Sequence, residues 1–64
     1  MNFEEYSEKV RKKMLDIESH RTLNPRIAIK VCEELKSMRE VEHDIAIKGY
    51  INFNMGFCTY ELNE

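Results

Sequence analysis

GYINFNMGFCTY, residues 49–60, is a charge-free segment in a chain otherwise rich in charged residues, and the predicted fold depends on it. Apolar side chains alternate there with asparagine and glycine, which is the period-two pattern of a half-buried β-strand. Asn54-Met55-Gly56 suits a three-residue hairpin loop in which glycine supplies the positive φ. The segment therefore predicts a β-hairpin over about residues 50–62.

Two registers of this hairpin fit the sequence. In the first, strands at 50–53 and 57–62 pair, which sets Phe53 opposite Phe57 and Tyr50 opposite Tyr60. In the second, the chain turns at Lys48-Gly49 and pairs residues 43–47 with residues 50–54. The sequence leaves both registers open.

The segment before residue 21 predicts an amphipathic helix from about Phe3 to His20. Asn2 is the expected N-cap of this helix. Apolar residues recur at steps of three or four, which places them on one helical face. The members of this stripe are Phe3, Tyr6, Val10, Met14 and Ile17.

A second helix is predicted to begin at Asn24-Pro25, with asparagine as N-cap and proline at the first helical position, where its missing N–H costs nothing. Its apolar stripe consists of Ile27, Val31, Leu35 and Met38, flanked by Ala28 and Cys32. The helix is expected to end near residue 40. An extension to Lys48 stays open because Val41 and Ile45 continue the stripe.

These elements predict an α+β fold that is mainly α-helical, within a single domain of residues 1–64. An antiparallel two-helix hairpin is followed by a C-terminal β-hairpin or β-strand. With 64 residues, the chain buries only about 60% of the surface that its unfolded form exposes. A core this small is usually supported by disulfides, a metal or a partner chain.

The composition excludes several classes of protein. The chain has 10 Lys plus Arg against 12 Asp plus Glu, a net charge of −2, and no apolar run near the roughly 18 residues of a transmembrane helix. The start, MNFEEY, has neither the basic residues nor the apolar run of a secretory signal. We therefore expect no membrane association, a cytoplasmic location, and free thiols at Cys32 and Cys58.

Catalytic and metal sites are not expected. His20, Cys32, His43 and Cys58 are four conceivable metal ligands, but their spacing matches no paired arrangement that brings ligands together on one turn. A Cys–His nucleophile would need a positioned base and a water-excluding pocket. The sequence accordingly predicts no enzyme, no metal and no cofactor, and no motif resembles a known family.

A basic run in the first helix offers one candidate binding site, for the phosphate backbone of a nucleic acid. Acidic residues one helical turn earlier offset this charge, so a solvated helix face is the favoured interpretation. A dimeric nucleic-acid-binding regulator is kept as the alternative function. Its residues would be Lys9, Arg11, Lys12 and Lys13.

The charge-free segment is the other candidate site, and it leads to the favoured function. A lone hairpin leaves neutral, aromatic edges that need cover from a second copy of the chain or from another protein. We expect a small protein-binding regulator, an inhibitor or adaptor, that occupies a surface of a larger partner and is able to form a homodimer. The expected contact residues are Tyr50, Ile51, Phe53, Phe57 and Tyr60.

Overall fold

Three α-helices make up most of the computed structural model, which describes residues 3–63. They are α1 (Glu8–His20), α2 (Pro25–Lys36) and α3 (Ile45–Leu62). Short 3-10 turns at Phe3–Glu5 and Arg39–Val41 precede α1 and α3. Residues 3–63 contain no β-strand, so the fold is all-helical and the α+β prediction is wrong.

Helix α1 begins later than predicted because its N-cap is Ser7. The Ser7 hydroxyl accepts a 3.3 Å hydrogen bond from the backbone N–H of Val10, which satisfies one of the free donors of the first turn. Asn2, the expected cap, lies outside the described residues. The Ser7 hydroxyl also donates a 2.6 Å bond to Glu40, which ties the start of α1 to the second 3-10 turn.

Helix α2 begins at Pro25 with Asn24 as N-cap, as the sequence predicts. It ends at Lys36, earlier than the expected position near residue 40. The Ser37 backbone N–H closes the last turn on the Glu33 carbonyl, and Met38 then adopts an extended conformation. The extension to Lys48 does not occur, because the chain reverses between α2 and α3.

Helix α3 replaces the expected β-hairpin. Its N-cap is Asp44, whose side chain accepts a 3.0 Å hydrogen bond from the Ile47 backbone N–H. Its buried residues are spaced four, three and four apart, which is the spacing of one helical face. They are Ile47, Ile51, Asn54 and Cys58. The period-two prediction was wrong because it counted only apolar residues, and this face includes a buried asparagine.

The three helices form an up-down-up bundle around one core. Lys13 of α1 pairs with Glu34 of α2, far from their short connection, so these two helices run antiparallel. Contacts between α1 and α3 advance together along both helices, from Met14 with Tyr50 to Arg21 with Cys58, so they run in the same direction. The core side chains are Val10, Met14, Ile17, Ala28, Val31, Cys32, Leu35, Val41, Ile47, Ile51 and Cys58.

Candidate functional site

The five aromatic and apolar residues expected to contact a partner all lie on α3, but the helix separates them. Ile51 is 1% exposed and belongs to the core. Tyr50 and Phe57 are half-buried, whereas Phe53 and Tyr60 are each 65% exposed. Only the last two present most of their side chain to a partner in this conformation.

Tyr50 is held by α1. Its hydroxyl donates a 2.6 Å hydrogen bond to Oε2 of Glu18 and lies 3.2 Å from the Met14 carbonyl oxygen. Burial raises the pKa of Tyr50, and the bond to the Glu18 carboxylate raises it further. Tyr50 therefore fixes the position of α3 against α1.

Phe57 lies at a junction organised by Arg21, the C-cap residue of α1. The guanidinium carbon of Arg21 is 5.6 Å from the centroid of the Phe57 ring, within the range of a cation–π contact. Arg21 Nη1 also donates a 3.3 Å bond to Oδ1 of Asn54, and Nη2 lies 3.4 Å from a Glu18 oxygen. Phe57 is thus covered from one side by the chain's own arginine.

Phe53 and Tyr60 belong to a continuous exposed strip that we call the outer face of α3. All of its side chains are exposed and none is charged. Ile45, at its beginning, is 85% exposed. The outer face consists of Ile45, Ala46, Gly49, Asn52, Phe53, Gly56 and Tyr60.

Of the outer face, the sequence predicted only Phe53 and Tyr60 as contact residues, and it missed Ile45, Ala46, Asn52 and both glycines. A helical signal was present, because Gly49, Phe53, Gly56 and Tyr60 are spaced four, three and four apart. The hairpin prediction places the same residues in strands and turns. Once the segment is helical, the spacing alone places them on one face.

The chemistry of the outer face suits protein binding. An uncharged surface with large exposed aromatic and aliphatic side chains loses little hydration energy when another apolar surface covers it. Aromatic residues also supply much of the binding energy at protein interfaces. The only titratable group on the outer face is the phenol of Tyr60, and the face carries no thiol, carboxylate, amine or imidazole.

The four residues of the basic run in α1 differ in their exposure and in their ion pairing. Lys9 and Lys12 are exposed, and together with Lys13, Asp16 and Met38 they line an open groove of about 470 Å³. Lys13 Nζ lies 2.8 Å from Oε1 of Glu34. This hydrogen bond, and the positive charge of Lys13, lower the pKa of the Glu34 carboxyl.

Arg11, the fourth residue of the basic run, is half-buried. Its Nε is buried and has no hydrogen-bond partner within residues 3–63. The charge available on this face is therefore concentrated on Lys9 and Lys12, because Lys13 is paired and Arg11 is partly covered.

The conceivable metal ligands are not brought together. No group of three or more His, Cys, Asp or Glu side chains among the described residues is arranged to hold a metal ion. Cys32 and Cys58 are buried and unbridged. Burial, and then the proximity of Cys58, raises the pKa of the Cys32 thiol to about 11, and burial also raises the pKa of Cys58. Both thiols therefore stay protonated at neutral pH.

Comparison of the chain with protein-family models, with curated proteins and with solved structures finds no match. Within residues 3–63, no helix combines the length and the apolar character needed to cross a membrane.

Proposed function

We propose that this chain is a small non-enzymatic protein-binding regulator, an inhibitor or adaptor, that acts by occupying a surface of a larger protein. One observation carries the proposal. The outer face of α3 is exposed and uncharged along its length, with Phe53 and Tyr60 each 65% exposed. Large apolar side chains that are exposed along one helical face, rather than scattered over the surface, are typical of an interaction site.

The proposed binding mode is recognition of a helix face by an apolar groove. Phe53 and Tyr60 act as anchors that enter pockets of the partner, and Ile45 extends the contact toward the start of α3. Ile51 and Tyr50 act indirectly, because they hold α3 on the rest of the bundle. The proposed setting is the cytoplasm, where buried, unbridged thiols such as Cys32 and Cys58 are ordinary.

The experiment is affinity capture from native cell lysate with purified wild-type chain and the Phe53→Ala/Tyr60→Ala variant. The variant should lose the captured protein and keep its helical circular dichroism, because both side chains are mostly exposed. Leu15→Ala is the matched control, since Leu15 is also an exposed apolar residue but lies on α1. Capture that survives in the α3 variant, or is lost equally in the control, would contradict the proposal.

The alternative, a dimeric nucleic-acid-binding regulator, takes its support from the groove lined by Lys9, Lys12 and Lys13. The pairing of Lys13 with Glu34 weakens this support. Fluorescence anisotropy with duplex DNA and RNA at low salt separates the two functions. Binding that falls steeply with salt and is lost in Lys9→Ala/Lys12→Ala would favour the alternative, and its absence favours the protein-binding function.

A further inference from the structure

The glycines of the outer face of α3 are not explained by the fold of the single chain. Gly49 and Gly56 lie inside a regular helix with negative φ. A Cβ built at either position meets nothing within 4 Å. Glycine inside a helix costs roughly 0.5–1 kcal/mol relative to alanine. Nothing within the described chain therefore compensates for either glycine.

We infer that a second copy of this chain covers the outer face, with the two α3 helices packed antiparallel so that each aromatic ring of one copy lies over a glycine of the other. This inference rests on the proposed function, because it names an occupant of the same surface. A larger partner that binds the outer face would compete with the second copy. Without such a partner the protein is then a dimer, and binding of the partner separates the two copies.

The spacing along α3 fits this packing. Ala46, Gly49, Phe53, Gly56 and Tyr60 are separated by three, four, three and four residues, which is the seam spacing of paired helices. From Gly49 to Tyr60, glycine thus alternates with an aromatic residue along one strip. Facing helices pack well when large side chains on one lie opposite small residues on the other.

A single antiparallel register places both aromatic residues of the outer face, Phe53 and Tyr60, opposite a glycine. When Phe53 lies opposite Gly56 of the second copy, Tyr60 lies opposite Gly49. The reason is that residue numbers 53 and 56 have the same midpoint as 49 and 60, between residues 54 and 55. The arrangement is self-complementary about a twofold axis, as a symmetric dimer requires. A parallel pairing would instead set glycine against glycine and leave voids at those layers.

If a second copy packs on the outer face, the charge pattern favours its α3 over its α1 or α2 as the facing surface. The outer face carries no charge, and the two charged residues described on α3, Lys48 and Glu61, lie off it. The outer surfaces of α1 and α2 are rich in charged side chains, which would have to be desolvated against a neutral face. The neutral face of an identical α3 involves no such cost.

The first test exchanges the two central residues. Sedimentation equilibrium should show a concentration-dependent dimer for the wild type, and Phe53→Gly or Gly56→Phe should each weaken it roughly tenfold or more. The exchange variant Phe53→Gly/Gly56→Phe, which has the wild-type composition, should recover most of the affinity because each ring again faces a glycine. Phe53→Ala keeps a helix-forming residue and serves if the glycine variant fails to fold, which circular dichroism would reveal.

The second test uses the wild-type chain. Tyr60 and Gly49 are about 16 Å apart along one helix, too far for a nuclear Overhauser effect within a chain. In a mixed sample of isotope-labelled and unlabelled chains, an effect between the Tyr60 ring and the Gly49 α-protons is expected between copies. A monomer at millimolar concentration, or a dimer without this effect, would overturn the inference. If the chain is monomeric and still captures another protein through Phe53 and Tyr60, the dimer is rejected and the proposed function is retained. If the chain is a dimer with this effect but captures no protein, the proposed function is rejected and the dimer is retained.

Discussion

Oδ1 of Asn54 accepts a 3.3 Å hydrogen bond from Nη1 of Arg21, which joins the end of α1 to the middle of α3. Asn54 is fully buried, and its Nδ2 donates a 2.8 Å bond to the Tyr50 carbonyl. The buried amide thus has partners for both of its polar atoms. This contact sets the position of α3 along the bundle, and with it the direction of the outer face.

Asn54→Ala should lower the free energy of unfolding by about 1–3 kcal/mol, because it removes a buried hydrogen-bonded side chain and leaves a cavity. Urea denaturation followed by circular dichroism measures the change. Asn52→Ala is the matched control, since Asn52 is an exposed asparagine on the same helix. Equal stability of the two variants would show that the Arg21–Asn54 contact does not hold α3 in place.

Tyr50→Phe should destabilise the fold by about 1 kcal/mol, because the half-buried ring stays in place while its hydrogen bond to Glu18 is lost. Tyr60→Phe removes the same hydroxyl from a mostly exposed side chain and should change stability by less than about 0.5 kcal/mol. Thermal unfolding of both variants gives the comparison. A loss as large in Tyr60→Phe as in Tyr50→Phe would argue against the α1–α3 contact described here.

The buried thiols of Cys32 and Cys58 should react slowly with thiol reagents while the chain is folded. A rise in the pKa of Cys32 from 9.0 to about 11 lowers its thiolate fraction at pH 8 about 100-fold. The reaction of these thiols with a disulfide reagent should be slow in buffer, where the chain is folded, and fast in denaturant, where it is unfolded. Rapid reaction of Cys32 in the folded chain would contradict the burial of α2 against α3.

The raised pKa of Cys32 should also make the fold less stable at alkaline pH. The unfolded chain releases the Cys32 proton near pH 9, whereas the folded chain holds it to about pH 11. The free energy of unfolding should therefore fall as pH rises through this interval. Cys32→Ala removes the titrating group, and part of the pH dependence between pH 9 and 11 should disappear with it.

Because of the Lys13–Glu34 pair, the free energy of unfolding should depend on pH in the acid range. The pKa of Glu34 is lowered in the folded chain, so its stabilising effect is present above the unfolded pKa and is lost as pH falls through the folded pKa. Glu34→Gln should lower the melting temperature at pH 7 by a few degrees at most, since the pair is exposed, and should match the wild type at pH 2. Glu33→Gln, at the neighbouring exposed acid, controls for the change in net charge.

Much of α1 and α2 follows from local sequence. The start of α2 depends on Asn24 and Pro25, whose backbone preferences act without help from the rest of the chain. Of the residues in the predicted stripes, Val10, Met14, Ile17, Val31 and Leu35 are buried, because apolar residues at helical spacing pack together wherever a second helix is available. Tyr6 and Met38 are only partly buried, and Ile27 is 41% exposed, so part of each stripe lies outside the core. The serine cap of α1 was missed because both Asn2 and Ser7 are good N-caps, and the sequence does not choose between them.

Only the tertiary structure decided the state of residues 49–60. Their isoleucine, phenylalanine, threonine and glycine residues have weak helix preferences, and local alternation favours a strand. Packing against α1 and α2 overrides this, because Ile47, Ile51 and Cys58 enter the core and Arg21 supplies a partner for the polar Asn54. The sequence by itself located an uncharged aromatic segment, whereas the bundle determined which residues lie inside and that Phe53 and Tyr60 point outward. The reason is that helix stability in a short chain comes mainly from the buried face, whose partners are distant in sequence.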